Sequence, residues 1–430
     1  MGGDFMKVGI YTLGCKVNTY ESEYVTKCLI ENGYEICNFD DICDIYIINT
    51  CTVTNTSDIK SRKIIRQAKR RNPSSCVVAM GCYIQKKEEL IPEIDIAIGN
   101  KDKSNIINLI EEYFKNKEKI DVVIDRKELN TFEDMFIDKY LSRTRAFVKI
   151  QDGCENFCSY CIIPFVRGKC RSKDFNKTIE EIKTLVKNGF KEIVLTGIHT
   201  GNYGRDINTD FATLLKEIVK INDLKRIRIS SIEITELNKE VLDIIKNNDI
   251  IVDHLHVPIQ AASNEVLTIM NRKYDIEYFK NKINEIRAIR PNISITTDII
   301  VGHPGETNEV FEKSIDTLKE INFSKLHVFP YSKRDGTVSA TLSQIDEPTK
   351  KERAHTLLSL SKSLELNYMN KFINQDLEVL FERTIDGYSI GHTSNYLQIK
   401  VKENIESGTF KNTTLEKIEY PYIIGKIKGN

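Results

Sequence analysis

The feature that most restricts the fold is a regular alternation of short apolar runs and helix-like stretches between residues 146 and 331. Each apolar run has the length of a buried strand, and each intervening stretch has the periodicity of a helix. Six such units in a row predict a parallel barrel, complete or partial, with its functional site at the carboxyl ends of the strands. The predicted strands are 146–150, 192–196, 226–230, 251–257, 293–301 and 326–331.

The regions on either side of this alternation predict two further domains. Four continuous apolar runs, at 7–13, 45–49, 77–80 and 94–98, indicate a parallel α/β sheet buried on both faces. A charged stretch at 101–141 then separates this sheet from the barrel, and after a helix at 348–370 the pattern becomes that of antiparallel strands. We therefore expect an α/β protein with an N-terminal sheet domain (5–115), a central (β/α)6 partial or TIM-like barrel (140–369) and a small C-terminal β-barrel (371–430).

Composition narrows the functional classes. The chain has 62 basic and 62 acidic residues, so contact with nucleic acid has to come from a local basic patch. No apolar run approaches the ~18 residues of a membrane span, and the first residues do not resemble a signal peptide. We expect a cytoplasmic protein without membrane contact. In a reducing compartment, the 11 cysteines are more often metal ligands than disulfides.

Three of these cysteines, Cys154, Cys158 and Cys161, have the spacing Cys-x3-Cys-x2-Cys directly after the first strand of the predicted barrel. A structural zinc site is the alternative, but it needs four ligands and the next cysteine, Cys170, comes nine residues later. Three thiolates suit a 4Fe-4S cluster with one open iron. That iron can bind the amino and carboxylate groups of S-adenosylmethionine (SAM) and pass it one electron.

The N-terminal region contains seven more cysteines, and their positions relative to the strands separate them. Cys15, Cys51 and Cys82 each follow a predicted parallel strand, where open α/β sheets place their ligands. They are therefore a second candidate ligand set, with ordinary core cysteines as the alternative. Free thiols elsewhere pack as small hydrophobic groups. This is the expectation for Cys28, Cys37, Cys43 and Cys76.

Basic and polar side chains supply further candidates. A predicted helix after Cys51 carries Arg62, Arg66, Lys69 and Arg70, which could either bind RNA phosphates or form a solvated cationic face. Polar residues and glycines at the strand ends could contact SAM, although single residues of this kind are often structural. The SAM candidates are Tyr160, Thr196, Gly197, Ser230 and Glu233, followed by His199, Ser231, His256, Gln260 and the run 302–306. Beyond the cysteines, no catalytic residue is indicated.

Several runs together resemble the methylthiotransferase family of radical SAM enzymes: TLGCKVNTYESE, NTCTVT, GCYIQ, CENFCSYCIIPFVRGKCRS, EIVLTGIHTGNYG and FPYSKRDGT. The segment VLFERTIDGYSIGHTSNYLQIKV is similar to the RNA-binding TRAM domain. Within the family, NTCTVT, FPYS and, at the first motif, GCKVN resemble the type that modifies threonylcarbamoyladenosine at position 37 of tRNA. Members acting on isopentenyladenosine tend to read GCQMN there, and those acting on a ribosomal protein tend to read GCPKN.

The resemblance implies two 4Fe-4S clusters, one held by Cys154, Cys158 and Cys161 and an auxiliary one held by Cys15, Cys51 and Cys82. SAM would serve both as methyl donor and as source of a 5′-deoxyadenosyl radical that removes hydrogen from carbon 2 of the adenine. The implied partners are the tRNA anticodon stem-loop and an electron donor such as flavodoxin or ferredoxin, and we expect a monomer. The TRAM-like segment has eight basic and eight acidic residues from 370 to 430, which favours stacking by Tyr388 or Tyr396 over net charge.

Three alternatives remain open. The same chemistry could act on isopentenyladenosine in tRNA or on an aspartate of a ribosomal protein. The chain could also be an iron–sulfur RNA-binding protein without catalysis, although its three-cysteine loop and glycine-bearing strand ends disfavour that reading.

Overall fold

The computed structural model describes residues 6–86, 91–140 and 143–429. Its first part is a parallel sheet with strand order β2-β1-β3-β4-β5-β6. The strands are β1 (Lys7–Thr12), β2 (Glu35–Cys37), β3 (Ile45–Thr50), β4 (Cys76–Gly81), β5 (Ile96–Ile98) and β6 (Ile120–Asp121), and the helices are α1 (Lys16–Glu31), α2 (Asn55–Arg71), α3 (Cys82–Lys86) and α4 (Ile106–Asn116). Both central strands, β3 and β4, are buried throughout, as their unbroken apolar sequences predict.

Helix α4 and strand β6 lie in the charged stretch that the sequence suggested as a connection. Ile106, Leu109 and Ile110 of α4 have the spacing of one helix face and are buried against the sheet. The surrounding charged residues concealed this short apolar face in the sequence. The sheet therefore continues as far as Asp121.

The second part is the six-stranded partial barrel that the sequence predicts. Two sheets, ordered β7-β10-β11 and β12-β13-β14, meet through parallel bridges from Ile227 to Ile251 and from Ser231 to His256. The strands are β7 (Arg145–Lys149), β8 (Gln151–Asp152), β9 (Arg171–Ser172), β10 (Glu192–Thr196), β11 (Arg226–Ile229), β12 (His254–His256), β13 (Ser294–Val301) and β14 (Lys325–Pro330), of which β8 and β9 form a separate small sheet. The helices are α5 (Ile163–Arg167), α6 (Phe175–Lys187), α7 (Phe211–Ile218), α8 (Lys239–Asn247), α9 (Asn264–Ile269), α10 (Ile276–Ile289), α11 (Asn308–Ile321) and α12 (Glu347–Asn370).

Helix α12 leads to a closed five-stranded barrel ordered β15-β16-β17-β19-β18. Its strands are β15 (Asp376–Ile385), β16 (Tyr388–Thr393), β17 (Gln398–Val401), β18 (Phe410–Glu419) and β19 (Tyr422–Ile427). This small barrel packs against the amino ends of the central strands. Arg226, the first residue of β11, donates to the carbonyls of Glu378 and His392 at 2.8 and 3.1 Å. In the described ranges, no helix is both long and apolar enough to cross a membrane.

Candidate functional site

Three cysteines meet at the carboxyl edge of the N-terminal sheet, and we call Cys15, Cys51 and Cys82 the N-terminal triad. They follow β1, β3 and β4, which are neighbours in the sheet. Gly14 has φ +100°, and a Cβ there would lie 3.1 Å from the Cβ of Cys51, so a glycine lets the chain before Cys15 approach Cys51. The sequence-based grouping thus corresponds to one place in the fold.

Burial governs the chemistry of this triad. Cys51 and Cys82 are buried while Cys15 is exposed. Burial raises the pKa of the Cys82 thiol to about 11, and the nearby Cys15 and Cys51 add to that rise while Arg167 opposes it. Arg167 donates from Nε to the Sγ of Cys82 at 3.2 Å. A bound metal centre would supply the positive charge that buried thiolates require.

Cys154, Cys158 and Cys161, the central triad, lie on the loop after β8. Gly153 opens this loop with φ +75°, where a Cβ would lie 1.9 Å from the carbonyl oxygen of Lys169. Burial raises the pKa of Cys154 and of Cys161 to about 12. Arg272 donates from a terminal guanidinium nitrogen to the Sγ of Cys158 at 3.3 Å. Each triad therefore receives one arginine N–H on a sulfur.

The donor sets suit iron–sulfur clusters. All six thiols are free. Among the residues that the structure describes, no three His, Cys, Asp or Glu side chains form a group that could hold a metal ion. A 4Fe-4S cluster takes its thiolates on separate irons, so its cysteine sulfurs do not have to converge on one point. Three thiols with an arginine donor beside them, at each of two places, fit such a cluster.

A buried ionic network joins the N-terminal sheet to the central barrel. Arg167 donates to Glu21 at 2.8 Å and to Asn18 at 2.7 Å, and both acceptors are on α1. Lys149 of β7 forms ion pairs with Glu21 at 2.9 Å and with Asp152 at 2.7 Å. Burial alone would raise the pKa of Glu21, but Arg167, Lys103 and Lys149 outweigh it and lower that pKa well below its usual range. The network fixes α1, and with it Cys15, against the central triad's loop.

Arg334 forms a second link from the loop after β14. Its guanidinium donates to Thr52 and to Asp58, both at 2.7 Å, and also contacts Asn55. These acceptors lie within seven residues after Cys51. Arg334 is 1% exposed, so the bonds are shielded from water. The N-terminal triad is therefore held to the barrel at both Cys51 and Cys82.

The five SAM candidates lie near the carboxyl ends of the barrel strands. Thr196 ends β10 and Gly197 follows it, and a Cβ at Gly197 would lie 3.0 Å from the side chain of Gln151. Ser230 accepts a hydrogen bond from Lys16 at 3.4 Å. Glu233 pairs with Arg272, and both line a cavity of about 120 Å³ beside Cys158. The Tyr160 ring contacts His303 edge-on, with centroids 6.3 Å apart.

Other strand-end candidates make structural contacts. Glu306 accepts from the backbone N–H of Gly302 at 2.8 Å and from Arg353 at 2.7 Å, and His303 bonds Ser339 at 2.8 Å. His199 pairs with Glu236. His256 bonds Thr296 at 2.9 Å, and its Nε2 lies 3.3 Å from Asp298. Gln260 takes a positive φ of 63°, and a parallel bridge joins Ser231 to His256. Arg167, Arg272 and Arg334 were not selected from the sequence. Arg167 and Arg334 lie inside two of the quoted motifs, but Arg272 lies outside all of them, and no local pattern distinguishes it from other arginines.

Helix α2 presents part of the expected basic face. Arg66 and Arg70 are exposed and Arg62 is half-buried, 5.9 Å from the centre of the Tyr83 ring. Together with Ile59 and Lys63 they line a shallow groove. Lys69 differs from the expectation, because it turns inward to Asp95 at 2.7 Å and to the carbonyl of Ser75 at 2.6 Å.

Neither tyrosine proposed for stacking on RNA is a free platform. Tyr396 stacks on His392 with centroids 4.7 Å apart, and the Arg228 guanidinium lies 4.5 Å from the centre of its ring. The turn that contains Tyr396 therefore joins the small barrel to the central barrel. Lys400 lies 4.2 Å from the centre of the Tyr388 ring.

Comparison with known families and proteins gives consistent matches. Residues 148–318 match the model of the Radical SAM superfamily, and residues 7–99 match that of Uncharacterized protein family UPF0004. The chain is 42% identical to the threonylcarbamoyladenosine tRNA methylthiotransferase MtaB of Bacillus subtilis, over 97% of this chain and 96% of that protein. The MtaB of Aquifex aeolicus is 40% identical, over 92% and 96% respectively.

Two further matches are more distant. The tRNA-2-methylthio-N(6)-dimethylallyladenosine synthase of Thermoanaerobacter pseudethanolicus is 36% identical, over 87% of this chain and 81% of that protein. Among solved structures, the radical SAM methyltransferase TsrM of Kitasatospora setae superposes with a TM-score of 0.56 at 14% identity, covering 78% of this chain and 77% of that one. At this identity the likeness shows the fold alone.

Proposed function

Since the chain belongs to the methylthiotransferase family of radical SAM enzymes, we propose that it adds a methylthio group to carbon 2 of threonylcarbamoyladenosine at position 37 of tRNA. The two MtaB relatives carry this nucleoside in their names and match nearly the whole chain. The observation that carries the proposal is the presence of two cysteine triads, each with an arginine N–H on one sulfur, on parts of the fold that Arg167 and Arg334 hold together.

In this proposal the central triad holds the cluster that binds SAM, and the N-terminal triad holds an auxiliary cluster. When bound, these groups supply reductive cleavage of SAM and the sulfur for insertion, chemistry that a C–H bond without useful acidity requires. Arg272 donates a hydrogen bond to the Cys158 sulfur and orients Glu233. Arg167 performs the same task at Cys82 and fixes α1. Tyr160, Thr196, Gly197, Ser230 and Glu233 form the SAM-binding wall.

The organisation of the chain follows from these roles. We assign the domain expected at residues 5–115, extended to the end of β6 at Asp121, to the auxiliary cluster, 140–369 to the radical SAM domain and 371–430 to a TRAM-like RNA-binding domain. Arg62, Arg66 and Arg70 bind phosphates of the anticodon stem-loop, whereas Lys69 supports the helix from within. A small reductant such as flavodoxin or ferredoxin supplies the electron. The enzyme acts as a cytoplasmic monomer.

A second candidate substrate is isopentenyladenosine, because a relative at 36% identity is named for the dimethylallyl nucleoside. Nucleoside mass spectrometry separates the two. The gene is expressed in a bacterial strain that lacks its own methylthiotransferases for both nucleosides but makes both precursors. Appearance of the methylthio form of threonylcarbamoyladenosine alone supports the proposal. The methylthio form of isopentenyladenosine would select the second candidate, and no new nucleoside would favour a non-catalytic RNA-binding protein.

A further inference from the structure

Lys16 extends from the N-terminal triad into the mouth of the central barrel. It follows Cys15 as the first residue of α1, and its Nζ donates to the Ser230 hydroxyl at 3.4 Å. Ser230 directly follows β11, at the carboxyl end of the barrel. The ammonium group therefore lies in the space at the mouth of the barrel, which α1 reaches from Cys15. A base that reacts with groups held by both triads has to enter this same space.

The other cations near Lys16 already have carboxylate partners. Arg228 donates to Glu192 at 2.8 Å, and Arg145 pairs with Glu382 at 2.9 Å. Arg226 pairs with Glu378 at 3.2 Å. Lys16 differs from them. Among the described residues, the side-chain hydrogen bond that Lys16 makes goes to the Ser230 hydroxyl and not to a carboxylate.

The floor of this space adds to the positive character. Arg228 of β11 is two residues before Ser230, which directly follows that strand, so both side chains face the barrel interior. Only 2% of Arg228 is exposed, and both of its terminal guanidinium nitrogens lack a hydrogen-bond acceptor among the described residues. Buried donors of this kind are normally satisfied, so the interior favours an anionic group arriving at Lys16.

We propose that Lys16 is the specificity-determining residue that binds the carboxylate of the threonylcarbamoyl group. The inference rests on the proposed function, since threonylcarbamoyladenosine carries a free carboxylate on the substituent of its adenine ring. That substituent is attached to the same six-membered ring that contains carbon 2. When carbon 2 lies between the triads, the substituent therefore enters the space that Lys16 faces.

The same contact discriminates against isopentenyladenosine, the second candidate substrate. An isopentenyl group has no acceptor, so it would desolvate the Lys16 ammonium and give it no partner. A site that loses a charged hydrogen bond typically loses about 1.5–3 kcal/mol, which corresponds to about 10- to 150-fold in affinity. Lys16 thereby selects one substrate both by attraction and by exclusion of the other.

Binding measured without SAM tests the proposal directly. Three stem-loops of one sequence are compared, carrying threonylcarbamoyladenosine, isopentenyladenosine or unmodified adenosine at position 37. The wild-type holoenzyme should prefer the first by at least tenfold. Lys16→Gln should abolish the preference without changing affinity for the unmodified stem-loop, and Lys16→Arg should retain part of it. Lys115→Gln, an exposed lysine on α4, is the matched control and should bind like the wild type.

Three outcomes would overturn the proposal. If Lys16→Gln keeps the preference for the threonylcarbamoyl stem-loop, Lys16 does not bind the substituent. If it weakens all three stem-loops equally, Lys16 contacts an RNA phosphate instead. If it loses SAM cleavage measured without RNA, it binds the carboxylate of SAM. Iron content and the electron paramagnetic resonance spectrum of each variant identify misassembled protein. Failure of the wild type to methylthiolate the threonylcarbamoyl stem-loop would contradict the proposed function. The binding comparison would still test whether Lys16 recognises the substituent.

Discussion

Arg167 donates a hydrogen bond from Nε to the Sγ of Cys82, 3.2 Å away, although Cys82 begins α3 beside the N-terminal sheet and Arg167 ends α5 of the central part of the chain. Its other nitrogens bind Glu21, Asp152 and Asn18. One buried side chain thus joins the edge of the N-terminal sheet that carries Cys82 to the loop that carries the central triad. Hydrogen bonds to cluster sulfurs help set reduction potentials, so under the proposed function Arg167 would influence both the assembly and the reduction potential of an auxiliary cluster held by Cys82.

Two substitutions of Arg167 should therefore separate the effect of its charge from the effect of its hydrogen bond to Cys82. Arg167→Met leaves Glu21 and Asp152 buried without this partner and should lower the free energy of unfolding by about 3–5 kcal/mol. Arg167→Lys keeps the charge but loses the planar donor to Cys82. We expect this variant to fold and to retain the central cluster while its auxiliary cluster is less stable. Urea unfolding and iron content check the two effects, and full iron content with an unchanged auxiliary spectrum in Arg167→Lys would contradict this role.

A pair of cysteines at opposite ends of β4 tests the ligand assignment. Cys82 follows the carboxyl end of the strand, and Cys76 starts it, buried among apolar residues. Cys82→Ala should lose the auxiliary cluster and sulfur insertion yet still form 5′-deoxyadenosine from SAM. Cys76→Ala removes a buried thiol of the same kind and should retain the iron of both clusters. Iron and sulfide analysis decides, and equal losses in the two variants would indicate a general packing effect.

The exposed arginines of α2 predict a change in salt dependence. Arg66→Gln and Arg70→Gln should each weaken tRNA binding and reduce the slope of log K against log salt by about 1, since each removes one phosphate contact. Lys187→Gln, an exposed residue on the barrel helix α6, is the control. Binding isotherms at several salt concentrations provide the slopes. If all three variants keep the wild-type slope, α2 has only a solvated cationic face.

His303 predicts a pH dependence of stability. Burial lowers its pKa from 6.5 to about 4, so the unfolded chain binds the proton more tightly than the folded one. The free energy of unfolding should therefore fall as the pH decreases from about 6.5 towards 4. Protonation of His303 in the unfolded chain should lower it by about 1.4 kcal/mol at pH 5.5 but by almost nothing at pH 7.5. Urea unfolding of the wild type and His303→Gln at both pH values measures the difference. An equal pH effect in both proteins would remove His303 as its source.

The sequence was most informative where one periodicity dominated. The six barrel strands and the spacing of the central triad depend on patterns within a single segment, and the structure contains these strands at the predicted places. Arg167, Arg272 and Arg334 are different, because each acquires its role from partners far away in the chain, and no local pattern records such a contact. Lys69 and Tyr396 illustrate the same limit. Their residue types suited RNA binding, but tertiary packing directs them to Asp95 and His392.

The most direct test of the whole account uses a stem-loop with threonylcarbamoyladenosine deuterated at carbon 2. The reconstituted enzyme, SAM and a reductant are added, and mass spectrometry follows the nucleoside and the 5′-deoxyadenosine together. We predict that the base exchanges its carbon 2 deuterium for a methylthio group and that the deuterium appears in 5′-deoxyadenosine. An unmodified base, or a methylthio product formed without deuterium transfer, would contradict the account.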